Sequence, residues 1–99
     1  FYITVLLHIT PFCDCWGFTT PAIVPDIGIL ASDNIVAIEK ASLDLIKAEK
    51  FIPGSLPHPL KLTGSGHLFQ QLHGKDPYIQ VEECIKVGLG SGKYTLQNL

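Results

Sequence analysis

The chain has 99 residues, 46% hydrophobic and 16% charged, with a net charge of -2, which allows one domain with a modest core and gives no cationic footprint for nucleic acid or an anionic membrane. No apolar run approaches the roughly 20 residues of a membrane-spanning helix, because prolines, acids and lysines interrupt each one.

The first element predicted is a strand from Tyr2 to Ile9, dense in β-branched and aliphatic side chains. It has too few polar positions for a wet face, so it reads as a central strand buried on both sides. Thr10 to Pro25 is loop chemistry, with prolines, a glycine and the pair Cys13 and Cys15, given some order by Phe12, Trp16 and Phe18. Ile27 to Ala31 makes a second short strand, and Ser32 or Asp33 then stands where a helix cap would accept an amide hydrogen bond. From Asn34 to Lys50, apolar residues at Ile35, Ile38, Ala41, Leu45 and Ile46 recur at spacings of three and four and predict a helix. Val36, Ala37 and Leu43 widen its stripe, so its first turns should be covered on more than one face.

Phe51 to Gly66 carries prolines and glycines that stop regular structure. His67 to His73 predicts a short helix ended by Gly74, and Asp76-Pro77 opens another over Tyr78 to Val87, with Gly88 as its left-handed stop. Lys93 to Leu96 closes the chain as a short strand or an extended tail. The order of elements predicts a small α/β layer with helices packed on a sheet, in one domain spanning 1–99. Parallel and mixed pairing are both compatible with it. With no methionine and a first residue already inside strand-like sequence, the chain reads as an incomplete piece, the C-terminal fragment of a longer protein. Such a piece should bury apolar surface against the remainder of the parent chain or by self-association.

Cysteines carry the most specific chemistry. Three of them cannot form a secreted disulfide framework, and a bridge across the single residue between Cys13 and Cys15 would be strained and reducible. A reducing cytoplasm is the compartment this usage fits. Thiolate sulfur is soft and suits zinc, iron or an iron-sulfur cluster, while a structural site takes four ligands, of which this pair supplies two. The plain alternative is that both are small apolar residues in a core.

Several segments together resemble a known family: Val5-Leu6-Leu7 with Ile9-Thr10-Pro11, Cys13-Asp14-Cys15-Trp16-Gly17, Ile23 through Asp33 with Val36-Ala37-Ile38, and the ending Glu82-Glu83-Cys84 into Val87-Gly88-Leu89-Gly90-Ser91 with Tyr94. They resemble the carboxy-terminal part of the domain-of-unknown-function family three-six-two, which is linked to iron-sulfur and ferredoxin-like chemistry. Members of that family are longer, and many carry a ferredoxin-type cysteine run ahead of the portion resembled here; this chain has none. The resemblance implies a protein tied to iron-sulfur or redox chemistry. Asn34 stands where the family has proline, and Glu39, one methylene longer, where it has aspartate.

The expected metal-ligating set is Cys13, Cys15 and Asp26, with His8, Asp14, Trp16 and Asp33 as supporting residues. Asp26 should lie at the entrance of the second strand, where it either joins the site or accepts backbone amides in a turn. Asp33 suits helix capping better than ligation. Asp14 is either solvated or an acceptor for amides of its turn. His8 is either a core histidine satisfied by one hydrogen bond or a ligand at the strand end, and Trp16 with Phe12 would keep water from the sulfurs. His58, His67 and His73 lie in a proline-rich connection or at helix ends and read mostly as surface residues, and Cys84 as core packing on the last helix. Gly88 to Gly92 follows a helix instead of preceding one and lacks the lysine placement of a nucleotide loop. The function expected is a metal- or iron-sulfur-associated redox module, its cluster or zinc or iron ion shared with the parent protein; the alternative is a metal-free structural domain that docks the rest of that protein.

Overall fold

Alternating β-branched residues at the start of the chain form β1 (Tyr2–Leu6), which pairs antiparallel with β2 (Gly28–Ser32) in the register Tyr2 to Ser32, Thr4 to Leu30 and Leu6 to Gly28. In this computed structural model, which describes residues 1–57 and 61–99, a 3₁₀ turn (Asp14–Trp16) lies between the strands. Three helices follow among the described residues: α1 (Ile35–Lys47), α2 (Leu68–His73) and α3 (Ile79–Lys86). The result is a small mixed α/β layer with α1 packed on both strands of a two-stranded sheet. His58, expected at the surface, lies outside the described residues.

The strand expected from Tyr2 to Ile9 ends at Leu6, and it is covered on one face only. Successive side chains point to opposite faces, so Thr4, Leu6 and Leu30 turn toward α1 while Ile3, Val5 and Ile29 turn away from it and are exposed. After Leu6 the ladder loosens. His8 takes a φ of +50°, uncommon for a residue with a Cβ, yet Ile9 O still accepts from Ile23 N–H at 2.8 Å and Leu6 O from Ile27 N–H at 2.9 Å. Those bonds draw the loop inward and bury Ile23 and Val24 completely. Two residues of a proline-bounded loop thereby become the centre of the main core, beside Leu6, Ile46, Leu68 and Leu72.

α1 begins at Ile35 because Asn34 caps it. The Asn34 Oδ1 accepts from Val36 N–H at 3.1 Å and Ala37 N–H at 3.2 Å, each satisfying an amide that the helix's first turn leaves without a partner. The cap expected at Ser32 or Asp33 therefore falls one residue later; Ser32 Oγ accepts instead from Asn34 N–H at 3.0 Å, and Asp33 is exposed. As the widened stripe predicted, α1 is buried on two sides: Ile46 joins the main core, while Val36 and Leu43 pack with Val81 of α3 and partly buried Cys84 in a second cluster.

α2 ends at Gly74, whose φ of +72° is the left-handed C-cap its sequence predicts. Its start corrects the surface reading of His67, which is buried. One ring nitrogen, Nδ1, accepts from Phe69 N–H at 3.0 Å; the other, Nε2, lies 2.8 Å from Leu43 O on α1. The ring thus caps one helix and ties it to another. α3 opens through Asp76, whose Oδ1 accepts from Tyr78 N–H at 3.0 Å. The chain end forms no strand; it runs across α1, where Ser91 O accepts from Asn34 Nδ2 at 3.3 Å and Gly90 approaches so closely that a Cβ there would collide with the Asn34 side chain.

Candidate functional site

The loop that carries the cysteines leaves the sheet beyond Leu6 and is fixed at both ends. At its root Asp26 Oδ1 accepts from His8 N–H at 2.8 Å, so the carboxylate just before β2 holds the residue just past β1. Further out, Phe12 anchors the loop: its ring sits 6.1 Å from Trp16, 5.7 Å from Phe18 and 6.0 Å from His73 between centroids. Thr10 Oγ1 donates to Phe12 O at 2.9 Å, and Trp16 N–H donates to Cys13 O at 3.1 Å, closing the 3₁₀ turn.

That turn brings the two thiols together. Cys13 Sγ accepts from Cys15 N–H at 3.3 Å, and both residues are exposed. A hydrogen bond between the two side chains, with a little desolvation and repulsion between the sulfurs, pushes the Cys15 thiol above its ordinary range. The pair is thus a solvent-facing dithiol on one short turn, its Cys15 thiol held toward the protonated form. Cys13 also borders a groove of about 440 Å³ with Phe12, Phe69, His73, Lys75 and Asp76.

Of the expected site residues, the structure joins Cys13 with Cys15, and separately Asp26 with His8. Asp26 acts as the turn acceptor, and His8 meets it through its backbone while its side chain is exposed. Trp16 stacks at the edge of Phe12 and is itself exposed, so it is no lid over the sulfurs. Asp33 takes no part in the loop's hydrogen bonds, and the Asp14 side chain lies outside the described part of the molecule. Among the described residues no three His, Cys, Asp or Glu come together as a metal-ion site. The chemistry of the donor set still fits half of a thiolate site, with two soft ligands on one turn.

The sequence reading missed that His73 packs on Phe12 and lines the same groove as Cys13, and it missed a polar hub around Asp44. Its carboxylate accepts from Tyr78 Oη at 2.7 Å, Tyr94 Oη at 2.5 Å and Lys40 Nζ at 2.7 Å. Burial alone would raise the Asp44 pKa, but these donors and the Lys40 charge hold it below the usual value. The Asp44 hydrogen bond, aided by burial, pushes the Tyr94 phenol up to about 12; for Tyr78 burial dominates, with Asp44 adding to it, in the same direction. The hub borders a groove of about 730 Å³ between α1, α3 and the chain end. The Lys40–Asp44 spacing of four on a helix is the one part of it a sequence can announce; the tyrosines arrive from 34 and 50 residues away.

No family model, curated protein or solved structure matches this chain. The class the geometry defines is a small α/β domain bearing an exposed dithiol turn at one end of its sheet.

Proposed function

We propose that this chain is a metal- or iron-sulfur-associated redox module, in which Cys13 and Cys15 supply thiolate ligands from the Cys-Asp-Cys turn. One observation carries the reading: two exposed cysteines share a single turn braced by Phe12, in which Cys13 Sγ accepts from the Cys15 N–H at 3.3 Å. An inert pair serving as core filler would be buried. Asp26 takes the orienting role, because its bond to His8 N–H fixes the root of the loop. The group bound is an iron-sulfur cluster or a zinc or iron ion, and it would supply electron transfer or a rigid cross-link; the remaining ligands come from the rest of a longer protein or another chain.

The resemblance to family three-six-two supports the same reading through the residues quoted for it, and a reducing cytoplasm is the compartment in which such thiols would stay available. The test is metal analysis of anaerobically purified protein, before and after reconstitution with iron and sulfide or with zinc, alongside Cys13→Ser/Cys15→Ser. The reading requires metal retained by the unaltered chain and lost from the double variant. Equal metal content in the two overturns it.

A further inference from the structure

Beyond the thiol turn, and independent of it, one feature left without a role is the face of the sheet turned away from α1. The register places Ile3 opposite Ala31 and Val5 opposite Ile29 on that face, and the alternation extends it through Phe1 and Leu7. Ile3 is 66% exposed, Val5 57%, Ile29 65%, Leu7 45% and Phe1 88%. None of the six side chains is charged or polar. Nor does β1 carry the lysine, proline or bulge with which natural sheets discourage association.

We propose that this face is where a second copy of the chain docks, the two sheets packing face to face about a two-fold axis. Area supports that occupant. Six side chains of this size and exposure present on the order of 500 Å² per copy, at the upper end of what monomers leave bare. A symmetric pair then covers about 1,000 Å², the threshold of a stable interface. The chemistry supports it too, because an uncharged face is met by another uncharged face, and the same pleated surface turned by a two-fold rotation provides one.

Sedimentation velocity across a concentration series, with reductant present so that thiols do not bridge copies, tests this directly. The unaltered chain should shift from monomer to dimer as its concentration rises. Ile3→Lys/Ile29→Lys changes two exposed positions and should weaken the dimer at least tenfold while leaving the far-ultraviolet circular dichroism unchanged. Val87→Lys, at an exposed apolar position beyond α3, should leave the dimer intact. Cys13→Ser/Cys15→Ser should dimerise as the unaltered chain does, which separates this proposal from the thiolate reading. A chain that stays monomeric throughout the series, or a dimer that survives both lysines on the sheet face, overturns the assignment.

Discussion

Replacing His67 with alanine should cost about 3 kcal/mol of folding stability, because one buried ring carries three contributions. Its Nδ1 accepts from Phe69 N–H and caps α2, worth about 1 kcal/mol. Its Nε2 donates to Leu43 O across to α1, worth about another 1 kcal/mol. The ring also packs 5.2 Å from Phe69 and 5.6 Å from Tyr78 between centroids, and deleting it leaves a cavity costing about 1 kcal/mol more. Urea unfolding followed by circular dichroism should place the variant's midpoint about 2 M lower. A second signature separates the histidine from mere bulk. Burial holds the His67 pKa below its ordinary 6.5, with the Leu43 carbonyl partly opposing. Below that value the unfolded chain takes up a proton that the native ring refuses. His67 thus contributes its stability in full above about pH 6.5, and the contribution falls as pH drops toward the folded pKa, by at most about 1.4 kcal/mol per pH unit. In His67→Ala that part of the slope should vanish. A destabilisation under about 1 kcal/mol, or an unchanged slope between neutral and mildly acidic pH, would refute the assignment of the ring as a neutral double hinge.

Asp44→Asn should free the Tyr94 phenol, so an ultraviolet titration should move it from about 12 back toward the ordinary tyrosine value; an unmoved titration would mean the hub does not persist in solution. Since the native Asp44 pKa is depressed, the hub's contribution is present above the ordinary carboxylate range and lost as pH falls through the folded pKa. Gly90→Ala should cost about 1–3 kcal/mol by driving a Cβ into the Asn34 side chain that caps α1, read as a lower thermal midpoint; an unchanged midpoint would mean the chain end does not lie on that cap. Zinc affinity should climb between about pH 7 and about pH 9, because the Cys15 thiol is held protonated by its partner and must release its proton to bind; an affinity independent of pH would place the ligands elsewhere.

Local signals in the sequence translated well where the structure is local. The spacing of Ile38, Ala41 and Ile46 marked α1, Gly74 stopped α2 as its left-handed geometry requires, and Asp76-Pro77 opened the turn into α3. Misreadings came where distant residues decide. An apolar strand looked buried on both faces because hydropathy records what a side chain prefers, while among the described residues the core gathers on the α1 side and Ile3, Val5 and Ile29 on the other face stay exposed. Ile23 and Val24 looked like loop but fill the core, because Ile9 and Ile52 bond the backbone of Ile23 from either side. His67 looked exposed beside glycines, and its partner Leu43 is 24 residues away. At the candidate site the sequence put Cys13 and Cys15 in one loop, whereas the approach of His73 to Phe12 depends on how α2 docks against that loop.

The account turns on whether the sulfurs at positions 13 and 15 act as ligands together. Binding of cobalt(II) under anaerobic conditions, followed by its thiolate-to-metal absorption, asks this of the intact chain. The account predicts a charge-transfer band that saturates with added metal, shrinks in either single serine variant and disappears in the double one. A spectrum identical in the unaltered chain and in Cys13→Ser/Cys15→Ser would contradict it.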